Sequence, residues 1–241
     1  MHGAPAEFLA ELTGAPCVVR KALMVTVEVD PVRVESRLSS GEMSCPSCSD
    51  GVLAGWGFAR SRPVAGLVTP VRPRRARCRG CAVTHVLLPV TLLLRRVYLA
   101  EVIWAALAAK ARGSGHRPIA QRFGIPDSTV RGWLRAAAAR ADAVRSWFLT
   151  VAVTAGVDVT VPRASESVWG DVLAAVDAAR AAITARFGSA AVLGAVTAAQ
   201  VAVAASAGRL LSPGWPPAPA SDPATPVDPA TGGTDASSSR V

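Results

Sequence analysis

The chain has 241 residues, a formal net charge of +9 and a sequence pI near 10.5. This length allows one or two modest domains, and the charge favours a polyanionic partner over an acidic small-molecule substrate. Between Arg60 and Arg140, sixteen Lys and Arg stand against two acids, a net +14, whereas the rest of the chain carries −5. A general compositional bias would not confine the excess to one block, so this distribution predicts a nucleic-acid-binding region.

Residues 1–22 show no strong periodicity and are expected to form a poorly structured extension. They lack the basic start and apolar run of a signal peptide. The longest uncharged stretch, residues 187–208, is rich in Ala and predicts a buried helix rather than a membrane span. Five cysteines in such a chain do not suggest disulfides. We therefore expect a cytoplasmic protein, nucleoid-associated if it binds DNA, with no membrane partner and no small-molecule substrate.

Residues 23–42 are predicted to form a strand followed by a short helix. Leu23 to Asp30 alternates between apolar and polar residues, as a half-buried strand does. Asp30 is also a plausible helix cap, Pro31 suits the first helical position, and Gly41 suits the exit from the helix.

Two CxxC pairs lie in residues 43–94, where short strands alternate with Gly and Pro. CPSC contributes Cys45 and Cys48, and CRGC contributes Cys78 and Cys81. This spacing lets two thiolates on a tight turn reach one ion, and four soft ligands suit tetrahedral Zn2+. The residues between the pairs are expected to run out and back as a hairpin, which is the plan of a zinc ribbon. Four protein ligands leave no open position to activate water, so the predicted zinc is structural.

Three alternatives to this assignment stay open. Two redox CxxC motifs without a thioredoxin-like pattern are a poor fit, and a decayed, metal-free site is a further interpretation. His85, four residues after Cys81, is a less favoured substitute ligand.

The arginines around the second pair have two interpretations. Four thiolates and one zinc ion carry a net charge of −2, which nearby arginines could neutralise. Seven arginines between Arg60 and Arg79 exceed that requirement, so we predict that the edge of the hairpin faces DNA phosphates. The predicted contacts are Arg72, Arg74, Arg75 and Arg77.

Residues 95–153 have helical periodicity and are predicted to form a helix-turn-helix domain. Val97 to Lys110 reads as an amphipathic helix, a short helix then ends at Gly124, and another opens at Asp127. A short helix, a Gly-containing turn and a second helix held across the first by apolar residues define this arrangement. The alternative is an ordinary helical hairpin whose apolar spacing serves only a core.

The polar face of the helix that opens at Asp127 is predicted to meet DNA. Short polar residues at its start can contact phosphates or base edges, and Arg131 is the best candidate for a bidentate contact to guanine. Arg117, Arg122 and Arg135 are placed to hold backbone phosphates. The predicted DNA contacts of this domain are Arg117, Arg122, Asp127, Ser128, Thr129, Arg131 and Arg135.

Residues 163–210 are predicted to form a C-terminal helical pair. Ser165 or Ser167 can cap the first helix, and Gly188 can end it. The Ala- and Val-rich faces of the pair suggest a homo-oligomer or a partner protein. Pro, Ser, Thr, Gly and Asp dominate residues 211–241, which predicts a disordered tail. The expected fold class is therefore mainly α with a small β zinc ribbon, a helix-turn-helix core and a C-terminal helical pair.

The span from Val25 to Leu149 contains CPSC, GVLAGWGFARSR, RPRRARCRGC and RPIAQRFGIPDSTVRGWLR in that order. Together these segments resemble a bacterial family of unknown function that joins a zinc ribbon to a helix-turn-helix. Its members look like the N-terminal DNA-binding part of insertion-sequence transposases. The resemblance implies a link to a mobile element, with a transposase as a partner, and it transfers the four cysteines and the helix-turn-helix core but no catalytic residue.

An enzyme is not expected. A transposase nuclease needs three acids on a mixed sheet to hold two metal ions, and the roughly sixty ordered residues expected after the helix-turn-helix cannot build that sheet. The predicted function is therefore a non-enzymatic DNA-binding protein that recognises double-stranded DNA, either transposon-associated or a transcriptional regulator. The alternative is a protein-protein interaction module that docks on a transposase or RNA polymerase.

Overall fold

The structure is a computed structural model that describes residues 24–156, 159–165, 167–188 and 196–217. Within these ranges it contains seven helices and one four-stranded sheet. The prediction of a mainly α protein with a small β part is confirmed. The extension predicted for residues 1–22 lies outside the described residues.

The strands are β1 (Met24–Val27), β2 (Leu53–Phe58), β3 (Arg74–Cys78) and β4 (Thr84–Pro89). The helices are α1 (Pro31–Ser40), α2 (Ala100–Ala111), α3 (His116–Phe123), α4 (Asp127–Ala138), α5 (Ala141–Ala155), α6 (Val168–Phe187) and α7 (Ala198–Ala205). None of these helices combines the length and the apolar character that a membrane crossing requires.

The sheet has the strand order β1-β4-β3-β2, so β1 and β2 are its edges. β2, β3 and β4 pair antiparallel, whereas β1 pairs parallel to β4. The strand predicted within residues 23–42 therefore completes the sheet of the cysteine-containing region and is not a separate unit. A pairing between strands so distant in sequence leaves no local signal.

Helix α1 covers one face of the sheet and begins and ends where its sequence indicates. The Asp30 side chain accepts a hydrogen bond from the Val32 N–H at 2.9 Å, and Gly41 ends the helix with a φ of 76°. Val34 and Leu38 are buried against the sheet. Because Cys45 and Cys78 belong to the same buried cluster, this face of the sheet leads directly to the cysteine pairs.

Helices α2 to α7 share one hydrophobic core, which extends from Leu93 to Trp215. Helix α6 lies along α5 and runs in the same direction, since Arg186 near its end donates to the Ala155 carbonyl at 3.4 Å and Val172 near its start lines one cavity with Val144. Helix α6 also contacts α2. The predicted C-terminal helical pair is therefore not independent, because α6 packs chiefly on α5 rather than on α7.

The disordered tail was predicted to begin at residue 211, and this boundary is wrong. Leu211 and Trp215 are buried, and the Trp215 ring meets those of Trp147 and Phe148 at centroid distances of 5.7 and 6.1 Å. The Pro- and Ser-rich composition suggested disorder, but one large aromatic ring buries enough surface to hold the segment. Residues 218–241 lie outside the described part of the chain.

Candidate metal centre and basic surface

The side chains of Cys45, Cys48, Cys78 and Cys81 converge at one end of the sheet. Their sulfurs all lie within 4.8 Å of one another. The Sγ atoms of Cys45 and Cys81 are 3.7 Å apart, and those of Cys48 and Cys78 are 3.6 Å apart. Tetrahedral coordination with metal–sulfur bonds of about 2.3 Å separates the ligands by about 3.8 Å. The four cysteines are thus positioned to bind one metal ion, and their sulfur donors are compatible with zinc.

The sheet brings the two cysteine pairs together. The first pair lies in the turn before β2, the second lies at the end of β3 and in the turn that follows, and Leu53 pairs with Cys78 between them. Backbone N–H groups also point at the sulfurs: that of Ser47 donates to Cys45 Sγ at 3.3 Å, and those of Gly80 and Cys81 donate to Cys78 Sγ at 3.3 and 3.4 Å. Such donors favour thiolates, which are the metal-binding form of cysteine.

Gly51 lies directly against this cluster. A Cβ atom at this position would lie 2.3 Å from Cys78 Sγ and 2.6 Å from Cys48 Sγ. Both distances are far below van der Waals contact, and the short cysteine side chains have little freedom to move away. Only glycine therefore allows the backbone between the first cysteine pair and β2 to pass so close to the sulfurs.

The metal-free thiols differ in acidity. Burial raises the pKa of Cys45 to about 12, and the hydrogen bond with the Cys78 thiol raises the pKa of Cys48. Burial would also raise the pKa of Cys78, but the N–H groups of Cys81 and Gly80 and the neighbouring thiols outweigh it and lower this pKa to about 7. A bound cation would therefore have to displace protons from Cys45 and Cys48 near neutral pH.

His85 was the less favoured substitute ligand. Its imidazole is fully buried, and its Nε2 lies 3.5 Å from Cys45 Sγ. The ring contacts this sulfur from outside the group of four cysteines that surrounds the candidate metal position. His85 is therefore placed to hydrogen-bond a ligand sulfur rather than to replace one.

Arg74 is half-buried and is engaged by other residues of the protein. Its Nη2 donates to Glu35 Oε2 of α1 at 3.1 Å, and its Nη1 donates to the Gly57 carbonyl at 2.6 Å. This guanidinium ties the sheet to α1, and the DNA contact at Arg74 stays a prediction from the sequence. Glu35 lies 39 positions earlier in the sequence, so local sequence patterns could not indicate the ion pair.

The other three predicted arginines of the hairpin are exposed or half-buried. Arg72 is exposed, and its guanidinium lies 5.1 Å from the centroid of the Phe58 ring. Arg77 is exposed and lies 4.7 Å from the Trp56 ring, and Arg75 is half-buried. Both rings are about half exposed, at 52% for Trp56 and 50% for Phe58. Neither ring was predicted to be a functional residue, although their alternation with Gly is present in the sequence as GWGF.

Helices α3 and α4 cross around a tight turn. Gly124 adopts a φ of 63°, and the Ile125 N–H donates to the Ala120 carbonyl at 3.0 Å. The residues that fix the crossing are buried, namely Ile119, Ala120, Ile125, Val130, Trp133 and Leu134. The predicted helix boundaries around Gly124 and Asp127 are confirmed, and α4 starts after Pro126 without a side-chain cap.

The predicted DNA contacts of this region lie on the outside of α3 and α4. Thr129 is half-buried, and the exposed members are Arg117, Arg122, Asp127, Ser128, Arg131 and Arg135. Arg122 lies 5.6 Å from the Phe123 ring. Within the described part of the chain, none of the four arginines forms an ion pair. No carboxylate in the described part of the chain therefore neutralises the positive charge of these arginines.

The connection between β2 and β3 joins the sheet to the helices. The Ala65 N–H donates to the Val97 carbonyl at 2.7 Å, and the Tyr98 ring packs edge-on against Trp133 of α4 at 5.2 Å. Arg62, at the base of this connection, is half-buried, and its Nε and Nη2 have no hydrogen-bond acceptor among the described residues. Burial lowers the pKa of Arg62. The contacts of Ala65 and Tyr98 place the connection between β2 and β3 beside α4.

No protein-family model matches this chain, and no curated protein or solved structure matches it significantly. The resemblance to zinc-ribbon and helix-turn-helix proteins therefore stays a prediction from the sequence motifs.

Proposed function

We propose that the protein is a non-enzymatic DNA-binding protein in which a structural zinc ribbon supports a helix-turn-helix. In this proposal β2, β3 and β4 form the ribbon, α3 and α4 form the helix-turn-helix, and α4 is the recognition helix in the major groove of double-stranded DNA. The DNA site would lie at the end of a mobile element or in a promoter, as the sequence resemblance implies.

The donor set and its spacing support zinc as the bound ion. Cys45, Cys48, Cys78 and Cys81 would fill a tetrahedral shell, which leaves no position for a reacting water. The ion would supply the positive charge that four adjacent thiolates require, and it would fasten the two turns that the sheet brings together. The role assigned to it is therefore folding rather than catalysis.

The observation that carries the DNA-binding proposal is the division of α4 into two faces. Val130 and Trp133 are buried in the core, whereas Ser128, Arg131 and Arg135 are exposed. An exposed Arg one turn into such a helix is suited to a bidentate contact with guanine O6 and N7. The neighbouring arginines of α3 would hold phosphates on either side of the groove.

Selection of bound duplexes from a random pool tests this proposal directly, using zinc-loaded full-length protein. The selected pool should converge on one motif, and Arg131→Ala should lower the affinity for that motif by roughly 10-fold, about 1–3 kcal/mol, while it relaxes preference at one base pair. Arg163→Ala provides the matched control, since Arg163 is an exposed arginine in the connection between α5 and α6. A pool that stays random at low salt would contradict the proposal.

Salt dependence separates the two kinds of arginine on this surface. The logarithm of affinity should fall linearly with the logarithm of salt concentration, and Arg117→Ala should reduce this slope by about 0.9 without a change in base preference. If Arg131→Ala behaves in the same way on every sequence, Arg131 contacts a phosphate and the assigned reading of guanine is wrong.

A further inference from the structure

Arg62 carries a charge that its surroundings in the described chain do not balance. Its backbone pairs with that of Val71 across the connection between β2 and β3, with N–O distances of 3.0 and 2.9 Å, so the residue is held in place. Its side chain is half-buried, and Nε and Nη2 are buried without a hydrogen-bond acceptor among the described residues. Because burial of a guanidinium without an acceptor is costly, the position favours a group that supplies oxygen atoms and negative charge.

Two other partly buried arginines have such partners within the fold. Arg37 forms an ion pair with the buried Glu28 at 3.1 Å, and Arg96 Nη2 donates to the Leu211 carbonyl at 2.9 Å. Among the described residues, no ion pair or hydrogen bond involves the side chain of Arg62. Partial burial alone therefore does not explain the state of Arg62, since the fold satisfies the other two arginines.

The unpartnered nitrogens define the kind of ligand that fits. Nε and Nη2 lie on one edge of a guanidinium, and this edge can donate two parallel hydrogen bonds to a single oxyanion. Arg74 uses the same two nitrogens to bind both carboxylate oxygens of Glu35. The sequence has no Asp or Glu between Asp50 and Glu101, so the neighbouring sequence offers Arg62 no such carboxylate. An oxyanion from outside the chain matches this edge.

We propose that Arg62 binds a phosphate group. Nη1 is not among the buried atoms, so the guanidinium reaches the surface of the connection, and rotation of its terminal bonds can turn the other edge toward an oxyanion. The net charge of +14 between Arg60 and Arg140 favours a polyanion as the source of this phosphate. The inference rests on the proposed function for that source, which is the backbone of bound DNA. Free phosphate is the other source of the same chemistry.

Replacement of Arg62 by Met tests whether the free protein carries this charge at a cost. Arg62→Met keeps an apolar stem and removes the charge, so it should raise the melting temperature of zinc-loaded full-length protein by roughly 2–5 °C. Arg60→Met, which changes an exposed arginine of the same connection, is the matched control and should shift this temperature little. An unchanged or lower melting temperature in Arg62→Met would show that the fold already satisfies the guanidinium, and this result would overturn the proposal.

Binding to the duplex selected for α4 tests whether the phosphate belongs to DNA. Arg62→Met should weaken binding roughly 10-fold. It should also lower the slope of log affinity against log salt concentration by about 0.9, the loss expected for one phosphate contact, without a change in base preference. Arg62→Lys retains a charge but not the bidentate geometry, so it should keep most of the slope and lose part of the affinity. Equal loss of slope in the Met and Lys variants would show altered structure rather than a lost phosphate contact.

Inorganic phosphate separates failure of this proposal from failure of the proposed function. If the wild-type protein binds no duplex, phosphate should still raise its melting temperature above that in chloride of equal ionic strength, and Arg62→Met should abolish the difference. The same phosphate response beside an unchanged salt slope for DNA would assign the site to free phosphate while duplex recognition by α4 stands. If Arg62→Met alters neither the salt slope nor the response to phosphate, Arg62 binds no phosphate and the inference is wrong.

Discussion

The sheet region and the helical region bury very different cores. Among the described residues, the cluster beneath the sheet contains nine buried residues, and two of them are the candidate ligands Cys45 and Cys78. The core shared by α2 to α7 contains thirty described residues, from Leu93 to Trp215. Apolar burial stabilises a fold roughly in proportion to the area removed from water, so we expect the helical region to depend mainly on packing and the sheet region to depend more on its cysteines. We therefore expect packing to stabilise the helical region and, as proposed, a bound metal to stabilise the sheet region.

Removal of the proposed metal should have the largest effect, because it should destabilise the sheet region but not the helical region. Structural zinc contributes about 10–16 kcal/mol of apparent binding free energy in small domains, so chelation or Cys78→Ser should unfold the sheet while the helices persist. Hydrogen exchange should show loss of protection in β2 to β4 and retention in α5 and α6. Cys17→Ser, which removes a thiol outside the two CxxC pairs, is the control. Equal loss of protection in both regions would show that they fold as one cooperative unit.

The complementary perturbation removes a core residue from the helical region. Trp215→Ala should destabilise the protein by about 3–5 kcal/mol, as large-to-small changes at buried aromatics do, because its ring packs on Trp147 and Phe148. Denaturant unfolding followed by helical circular dichroism measures this, and metal affinity should not change. Truncation after residue 217 keeps Trp215 and serves as the control. A neutral Trp215→Ala would mean that the Trp215 ring contributes nothing to the stability of the core.

The metal dependence of the sheet should itself depend on pH. The pKa of Cys45 is about 12, and that of Cys48 is raised, so near neutrality both are protonated without metal and deprotonated with it. Binding then releases at least two protons, and Cys78 with a pKa of about 7 releases part of a third, so the apparent affinity for zinc should rise by at least about 100-fold per pH unit between pH 6 and 7. Competition with a chromophoric chelator measures this dependence. A rise of tenfold or less per unit would contradict the protonated state of Cys45 and Cys48 in the metal-free protein.

The smallest expected effects concern two glycines of the helical region. Gly132 lies on the exposed face of α4, and a Cβ there would meet nothing within 4 Å, so Gly132→Ala should stabilise the protein by up to about 1 kcal/mol. Gly124 has a φ of +63°, so Gly124→Ala should instead cost about 1 kcal/mol or more. Thermal unfolding measures both. Equal shifts in both variants would argue against the left-handed turn before α4.

The local features of this protein could be read from short stretches of sequence. The cap at Asp30, the turn at Gly124 and the two CxxC spacings each depend on residues only a few positions apart. For that reason the limits of α1, α3 and α4, and the set of candidate metal ligands, were predictable. The pattern of buried residues on α4 followed from helical periodicity in the same way.

Sequence patterns gave no information on contacts between residues that are distant in the sequence. The basic residues of the hairpin all looked equivalent, yet Glu35 of α1 engages Arg74 and leaves Arg72 and Arg77 on the exposed rings. The composition also predicted that the disordered tail begins at residue 211, because composition does not indicate that Trp215 packs against α5. Each of these outcomes depends on which surfaces the fold places side by side.

By itself, the sequence determined the identity of the candidate metal ligands, the boundaries of α1, α3 and α4 and the basic character of one third of the chain, since charge, cap chemistry and ligand spacing act over a few residues. Only the tertiary structure decided that β1 joins β4 in parallel, that α6 lies along α5, and that the arginines of one cluster divide between an ion pair and an exposed surface. These arrangements depend on contacts between residues that lie tens of positions apart in the sequence. The free energy of burial and of charge pairing at such contacts depends on the whole fold.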